Sequence, residues 1–129
     1  MPEKLLVILH VAYAFVPLGL LAIGLSALGH LEERSVLHLL SVGAIASMML
    51  AVMTRASLGH TGRPLKASRL TVTAYAALVL CALLRPLGEV LPDLGPQIYA
   101  ASGLLWIAAF GLFCLEYAPI LARKRRTPL

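Results

Sequence analysis

Residues 38–65 read HLLSVGAIASMMLAVMTRASLGHTGRPL, and this stretch decides how the rest of the chain is interpreted. About twenty of its residues are apolar or small, which is enough for one α-helix to cross a bilayer. An imidazole stands near each end of the run, at His38 and at His60. At about 100° per residue the two histidines lie within roughly 40° of each other on one helical face, about 33 Å apart. The stretch therefore predicts a spanning helix with an imidazole near each membrane surface.

The composition of the whole chain favours an integral membrane protein. Of its 129 residues, 60% are hydrophobic and only 13% are charged, about half the charged fraction of a soluble domain. Four apolar runs are long enough for helices, and we predict spans at approximately 5–29, 37–59, 70–91 and 97–122. The predicted fold is all-α: an integral membrane four-helix bundle that forms a single transmembrane domain.

Basic residues are concentrated in particular loops. The N-terminus, the second loop and the C-terminal tail would share one side of the membrane, and they carry Lys4, Arg63, Lys66, Arg69 and Arg123–Arg126. Cytoplasmic segments carry the excess of Lys and Arg, so both termini are expected in the cytoplasm. The net charge of +5 is then explained by orientation among membrane lipids, and no nucleic-acid partner is expected.

This orientation groups the ionisable side chains at two levels of the membrane. The cytoplasmic level would hold His10, Arg55, His60 and Glu116, and the opposite level His30, His38, Arg85 and Glu89. Ionisable residues inside membranes are usually functional, and imidazoles on facing helices can bind haem iron or copper. Arginines can pair with haem propionates or with buried carboxylates. The sequence therefore favours a haem or metal site.

Structural roles for several of these residues remain open. His60 could favour the C-terminus of its helix, with Gly59 as the cap. Arg55 and Glu116 could form a buried structural ion pair.

The end of the third span allows two interpretations. The span either ends at Arg85-Pro86, where the residue before proline disfavours helix, or continues with a kink to about Leu91. Arg85 and Glu89 are one turn apart and could satisfy each other at the membrane surface.

Sulfur-containing residues lie inside the apolar runs. Met48, Met49 and Met53 could be soft ligands for copper(I), although methionines are more often core filler. Cys81 and Cys114 are typical of small buried hydrophobic residues rather than of a disulfide or zinc pair.

A stripe of small residues follows the second span. Gly43, Ser47 and Ala51 recur every four residues on the face opposite His38, and such a stripe lets another helix approach closely. This pattern supports an alternative function, that of a metal-free structural or assembly subunit that packs on partner helices.

The run VGAIASMMLAVMTRASLGHTGRPL, residues 42–65, resembles the signature of the NnrS family of membrane proteins. The similarity extends to LHVAYAFVPLGLL in the first span, LLRPLGEVLP at the end of the third and WIAAFGLFCLEYAPILARKR near the C-terminus. The resemblance implies a multi-pass protein of the bacterial inner membrane, of the type that contains haem and copper. It also implies a role in the nitric oxide response and in protection from nitrosative stress.

Members of this family typically have many more spans than four, and this chain resembles only their C-terminal part. We therefore expect a homo-oligomer or other membrane subunits to complete the site. Carried over by position, the residues that fall in family-like motifs are His10, His38, Arg55, His60, Arg63 and Arg85.

The leading hypothesis from the sequence is a haem- and/or copper-binding membrane protein of nitric oxide metabolism, with nitric oxide as a small-molecule ligand. His10 and His60 are the candidate axial ligands, and His38 is a candidate metal ligand near the outer face. The candidate cofactor-binding arginines are Arg55, Arg63 and Arg85. A b-type electron carrier is a further alternative, and no residue is assigned a catalytic role.

Overall fold

The computed structural model describes residues 4–122, which form helices and connecting loops without a strand. Helix α1 is Lys4–Ala27, and the second span joins α2 (Glu33–His38), a π-helix (Leu39–Ala46) and α3 (Ser47–His60). Helix α4 is Arg69–Val90, and a 3₁₀ turn (Pro92–Leu94) leads into α5 (Gly95–Ala122). Four of the helical segments in this range are long and apolar enough to cross a membrane. The predicted all-α fold with four such helices is therefore confirmed, while the basic tail Arg123–Arg126 lies outside the described residues.

The second span lies at the centre of the assembly. Helix α1 packs along it, α4 packs on another side of it, and α4 and α5 form a tightly packed hairpin. The largest fully buried apolar side chains come from all four helical segments and are Leu5, Leu50, Leu78 and Tyr117. Because the second span contacts each of the other three helical segments, it positions the side chains considered below.

Glycine allows α1 to approach the second span closely. A Cβ atom on Gly43 would overlap the ring of Phe15 on α1. Ser47 and Ala51, at the next two positions of the small-residue stripe, are fully buried. The predicted close approach along this stripe is confirmed. The stripe is used for packing within the chain, however, so it does not provide a free surface for a partner helix.

The π-helix changes the relation between the two ends of the second span. A π-helix is bonded from residue i to residue i+5, so each turn takes more residues than the 3.6 of an α-helix. At its end, the Ser47 backbone N–H and the Ser47 hydroxyl both donate to the Val42 carbonyl, the hydroxyl at 3.1 Å. The constant step of 100° is therefore wrong across residues 39–46. His38 is half-buried against α4, whereas His60 is exposed.

Helix α4 begins with a capped turn and continues through a proline. The backbone N–H of Thr71 donates to Ser68 Oγ at 3.0 Å, which satisfies one of the free donors at the helix start. The helix passes Pro86 and ends at Val90. Of the two interpretations of Arg85-Pro86, the one in which the span continues is correct.

Candidate functional site

The candidate metal ligands do not form one cluster within the chain. Among residues 4–122, no group of three or more His, Cys, Asp or Glu side chains is placed to hold a metal ion. His10 and His60 are exposed and His38 is half-buried. Each of these histidines has a different environment, so each is described in turn.

His10 lies on the outer face of α1. The buried positions of this helix are Leu5, Ile8, Ala12, Phe15, Gly19 and Ala22. At about 100° per residue, His10 lies on the opposite side of the helix from them. Tyr13, one turn further on, shares this outer face and is 68% exposed. His10 is therefore directed away from the other helices of the chain.

A backbone hydrogen bond fixes the tautomer of His10. The Nδ1 atom lies 2.8 Å from the carbonyl oxygen of Leu6, one turn earlier in the same helix. Because a carbonyl oxygen only accepts hydrogen bonds, Nδ1 must carry the proton. The neutral ring then has an unprotonated Nε2 whose lone pair is available at the outer surface.

His60 lies in the last turn of α3, next to the helix cap. Arg63 N donates to the Leu58 carbonyl at 2.9 Å and Gly62 N donates to the Gly59 carbonyl at 3.1 Å. These two bonds define a Schellman cap, and Gly62 has the positive φ of 68° that such a cap requires. The prediction of Gly59 as the cap is wrong, because Gly59 is still helical and Gly62 takes the left-handed conformation. The position of His60 is that of an ordinary basic residue at a helix C-terminus.

The first loop repeats this arrangement. Gly29 has a φ of 78°, and His30 N donates to the Leu25 carbonyl at 3.0 Å. His30 is thus the residue that follows a helix cap, and it is exposed.

His38 contacts α4 near the opposite end of the assembly. Its Nε2 lies 3.3 Å from the carbonyl oxygen of Cys81, so Nε2 carries the proton and donates it. Ser102 Oγ of α5 donates to the same oxygen at 3.1 Å. Cys81 lies about one turn before Pro86, and side chains of neighbouring helices commonly bond to backbone carbonyls near a membrane proline. Nε2 of His38 is thus engaged with α4, and the unprotonated nitrogen of the neutral ring is Nδ1.

Arg85 and Glu89 have separate partners. The guanidinium carbon of Arg85 lies 5.1 Å from the centre of the Tyr99 ring, within the range of a cation–π interaction. Glu89 accepts a hydrogen bond from the Ser35 hydroxyl of α2. A Cβ atom on Gly88 would lie 2.6 Å from the ring of Tyr99, so glycine is needed for this ring to rest on α4. These contacts fix the end of the α4–α5 hairpin.

A second polar network links α4 to α5 near the other end of the assembly. Thr71 Oγ1 donates to a carboxylate oxygen of Glu116 at 2.8 Å. A hydroxyl group has one proton, so the Tyr117 hydroxyl, 2.9 Å from Thr71 Oγ1, donates to it. Within the described residues, Glu116 is thus hydrogen-bonded to Thr71 and not to Arg55.

The same reasoning orients a buried tyrosine. Thr54 Oγ1 donates to the Ala51 carbonyl at 2.9 Å, so it accepts its other hydrogen bond, from the hydroxyl of Tyr75. This contact joins the second span to α4. The sequence pattern indicated no role for Thr54, Thr71 or Tyr75. The one feature that distinguishes them is a hydroxyl group inside an apolar run.

Three methionines line an open groove between α1 and the second span. The groove has a volume of about 470 Å³. Its walls are formed by Ala12, Val16, Ala44, Ile45, Met48, Met49, Val52 and Met53. Met49 is 52% exposed, and Met48 and Met53 are half-buried. Met53 packs against the hydrophobic core, as the core-filler interpretation expects, whereas Met49 lies at the surface of the assembly.

Four apolar helices of membrane-spanning length, with polar side chains bonded between them, indicate a multi-helix membrane protein. A comparison with protein families matches residues 1–125 to the family described as "NnrS protein", and the chain belongs to the NnrS family. No curated protein and no solved structure matches the chain. The resemblance carried by residues 42–65 is thereby confirmed, and membership points to a role in the nitric oxide response.

Proposed function

We propose that this chain is a haem-binding protein of the nitric oxide response, located in the bacterial inner membrane with both termini in the cytoplasm. Membership of the NnrS family supports the link to nitric oxide. The four apolar helices support the membrane location. The single observation that carries haem binding is the outward-facing His10, with its Nδ1 proton already bonded to the Leu6 carbonyl.

The packing of the helices does not fit a haem held between α1 and the second span. Phe15 would overlap any side chain at Gly43, and Leu40 would overlap any side chain at Gly19. A macrocycle cannot enter between the two helices at these two contacts. Because His10 lies on the face of α1 opposite its buried positions, the haem would bind against the outer face of α1, and His10 is proposed as a ligand without His60 of the same chain.

The environment of His10 fits a ligand that would hold haem iron. Histidines that bind metals usually donate their other ring N–H to a carbonyl or carboxylate, which fixes the ring and raises its basicity. His10 has this arrangement through Leu6. When bound, haem iron would supply a coordination position for nitric oxide. The chain would hold the imidazole in one tautomer and place it within an apolar surface that excludes water.

Basic residues near the same end of the assembly would receive the propionates. Lys4 begins α1, and Arg63 follows the end of α3. Since α1 and the second span are antiparallel, both residues lie at the end nearest His10. Arg85 lies at the opposite end, over Tyr99. Among the candidate cofactor-binding arginines, Arg63 fits this proposal best and Arg85 does not fit it.

A haem on an outer face would have only one side covered by this chain. A second copy or another membrane subunit would cover the other side, which agrees with the expected homo-oligomer. Moving the apolar macrocycle from lipid to a helix surface would gain little hydrophobic free energy, because lipid is equally apolar. The contact would therefore depend on the imidazole bond and on packing.

The test is a reduced-minus-oxidised absorption spectrum of the purified protein, recorded with and without nitric oxide. The proposal predicts a Soret band that shifts promptly when nitric oxide is added. A low-spin spectrum that nitric oxide changes only slowly would favour the b-type electron carrier. A protein with no Soret band after expression with excess haem precursor would contradict the proposal and favour the metal-free subunit.

A further inference from the structure

A second open groove lies between α1 and α4, with a volume of about 540 Å³. Helix α1 packs along the second span and α4 packs on α5, whereas α1 and α4 face each other across this groove. The α1 wall includes Ile8 and Val11, and the α4 wall includes Ala76 and Leu80. Tyr75 also lines the groove, but its hydroxyl is already bonded within the chain. The groove therefore offers an apolar surface along most of its length.

The length of the groove suits a hydrocarbon chain. The α4 wall runs from Val72 to Leu80, and eight steps of 1.5 Å give about 12 Å. One leaflet contributes half of the hydrocarbon core of the bilayer, or about 15 Å. A lipid acyl chain that lies parallel to the helices can therefore follow the groove through most of one leaflet.

Two basic residues lie at one end of this groove. Lys4 lines it and begins α1, and Arg69 begins α4. Both helices run antiparallel to the second span, so both residues lie at the same end of the assembly. At about 100° per residue, Lys4 lies within roughly 40° of Ile8, and Arg69 lies within roughly 20° of Ala76. Each cation is thus on the face of its helix that forms the groove.

The positive charge at this end is complementary to a lipid phosphate. The carboxylate of Glu116 is bonded to Thr71, which lies about 140° around α4 from Ala76 and so away from the groove. Basic pockets between membrane helices bind anionic lipid head groups. In the proposed orientation this end lies at the cytoplasmic surface, where anionic lipids are found. An acyl chain and a phosphate are the two parts of one molecule, a phospholipid.

We propose that the groove between α1 and α4 binds one anionic phospholipid, with an acyl chain in the groove and the phosphate at Lys4 and Arg69. The proposal rests on the membrane location and not on haem binding, because His10 lies about 120° around α1 from Lys4. A lipid phosphate at Lys4 leaves Arg63 as the basic residue for a haem propionate.

The experiment is native mass spectrometry of the purified full-length protein in detergent. The protein is titrated with phosphatidylglycerol, which is anionic, or with phosphatidylcholine of identical acyl chains, which is zwitterionic. Lys4→Gln tests the phosphate contact, and Lys66→Gln is its matched control. Lys66 is an exposed lysine in the loop before α4, near the same end of the assembly, and it does not line the groove.

A second pair of variants tests the apolar part of the groove. Ala76 is exposed and lines the groove, so Ala76→Phe should fill it without disturbing a buried position. Ala108→Phe makes the same change at an exposed position of α5 and is the control. Circular dichroism and the melting temperature show whether each variant is folded.

The proposal predicts one tightly bound phosphatidylglycerol per chain, with an affinity at least about fivefold higher than that for phosphatidylcholine. Lys4→Gln should lower the affinity for phosphatidylglycerol about fivefold, and Lys66→Gln by less than about twofold. Ala76→Phe should weaken the binding of both lipids by about tenfold or more, because its ring occupies the space of the acyl chain. Ala108→Phe should bind both lipids as the wild type does.

Three results would overturn the proposal. Equal binding of the two lipids by the wild type would show that the groove does not select an anionic head group. Wild-type affinity for phosphatidylglycerol in Lys4→Gln or in Ala76→Phe would place the lipid elsewhere. A dimer without bound lipid would show that a second copy fills the groove. The Soret band of Ala76→Phe is recorded on the same samples, so loss of the lipid site and loss of the haem site are distinguishable.

Discussion

His10 Nδ1 donates a hydrogen bond to the Leu6 carbonyl at 2.8 Å, on the face of α1 that points away from the other helices. This bond assigns the proton to Nδ1 and leaves the lone pair of Nε2 free. The burial pattern of α1 places His10 on the side of the helix opposite the packed positions. The candidate haem ligand is directed outward, while the interior of the helical assembly is filled by close helix packing and by hydroxyl-based networks.

The position of the helix cap at Gly62 predicts opposite effects on stability for alanine at Gly62 and at Gly59. Gly62→Ala should lower the free energy of unfolding by about 1–2 kcal/mol, because alanine is strained at the φ of 68°. Gly59→Ala should instead raise it by roughly 0.5–1 kcal/mol, since Gly59 is helical and nothing lies within 4 Å of its added Cβ. Thermal unfolding in detergent measures both. Destabilisation by Gly59→Ala, with no effect of Gly62→Ala, would show that the cap is assigned to the wrong residue.

The contact between Gly43 and Phe15 predicts a strong effect of a single methyl group. Gly43→Ala should destabilise the protein by about 1–3 kcal/mol, because the Cβ atom overlaps the phenyl ring and forces α1 outward. Gly103→Ala on α5 is the matched control, since no atom lies within 4 Å of its added Cβ. Adding Phe15→Leu to Gly43→Ala should recover part of the loss. Equal melting temperatures for the two glycine variants would contradict the close approach of α1 to the second span.

The hydrogen bonds of Thr71 predict that Thr71, and not the neighbouring Thr73, contributes to the stability of the protein. Thr71→Val should lower the free energy of unfolding by about 1 kcal/mol, because Tyr117 and Glu116 both lose a hydrogen-bond partner. Thr73→Val should change it by less than about 0.5 kcal/mol, since Thr73 is exposed and donates only to the Arg69 carbonyl of its own helix. The melting temperatures of the two variants provide the comparison. A larger loss for Thr73→Val would show that the network does not link α4 to α5.

The sequence was sufficient to predict the long elements of this fold. Each apolar run is longer than a buried soluble helix needs, so the spans could be recognised by length. The first was expected at 5–29 and is Lys4–Ala27, and the second was expected to begin at 37 and begins at Glu33. The residues 39–46 carry no signal for a π-helix, because their side chains are as compatible with an α-helix. A constant step of 100° per residue therefore could not predict the relative orientation of His38 and His60.

The orientation of His10 could not be predicted for a related reason. Helix α1 is apolar on all sides, so periodicity does not show which face packs against the chain and which faces lipid. The polar networks were missed because a threonine in an apolar helix can bond to its own backbone. Thr71 instead bonds to Glu116, and only the packing of α4 on α5 brings the two together.

The most direct test of the haem proposal is the ratio of haem to protein in purified His10→Leu, compared with His60→Leu. Leucine suits the exposed apolar face of α1 at His10, so this variant should remain folded. We expect His10→Leu to lose the Soret band almost completely, by roughly tenfold or more, and His60→Leu to retain the wild-type ratio. A wild-type haem content in His10→Leu, or loss of haem only in His60→Leu, would contradict the account.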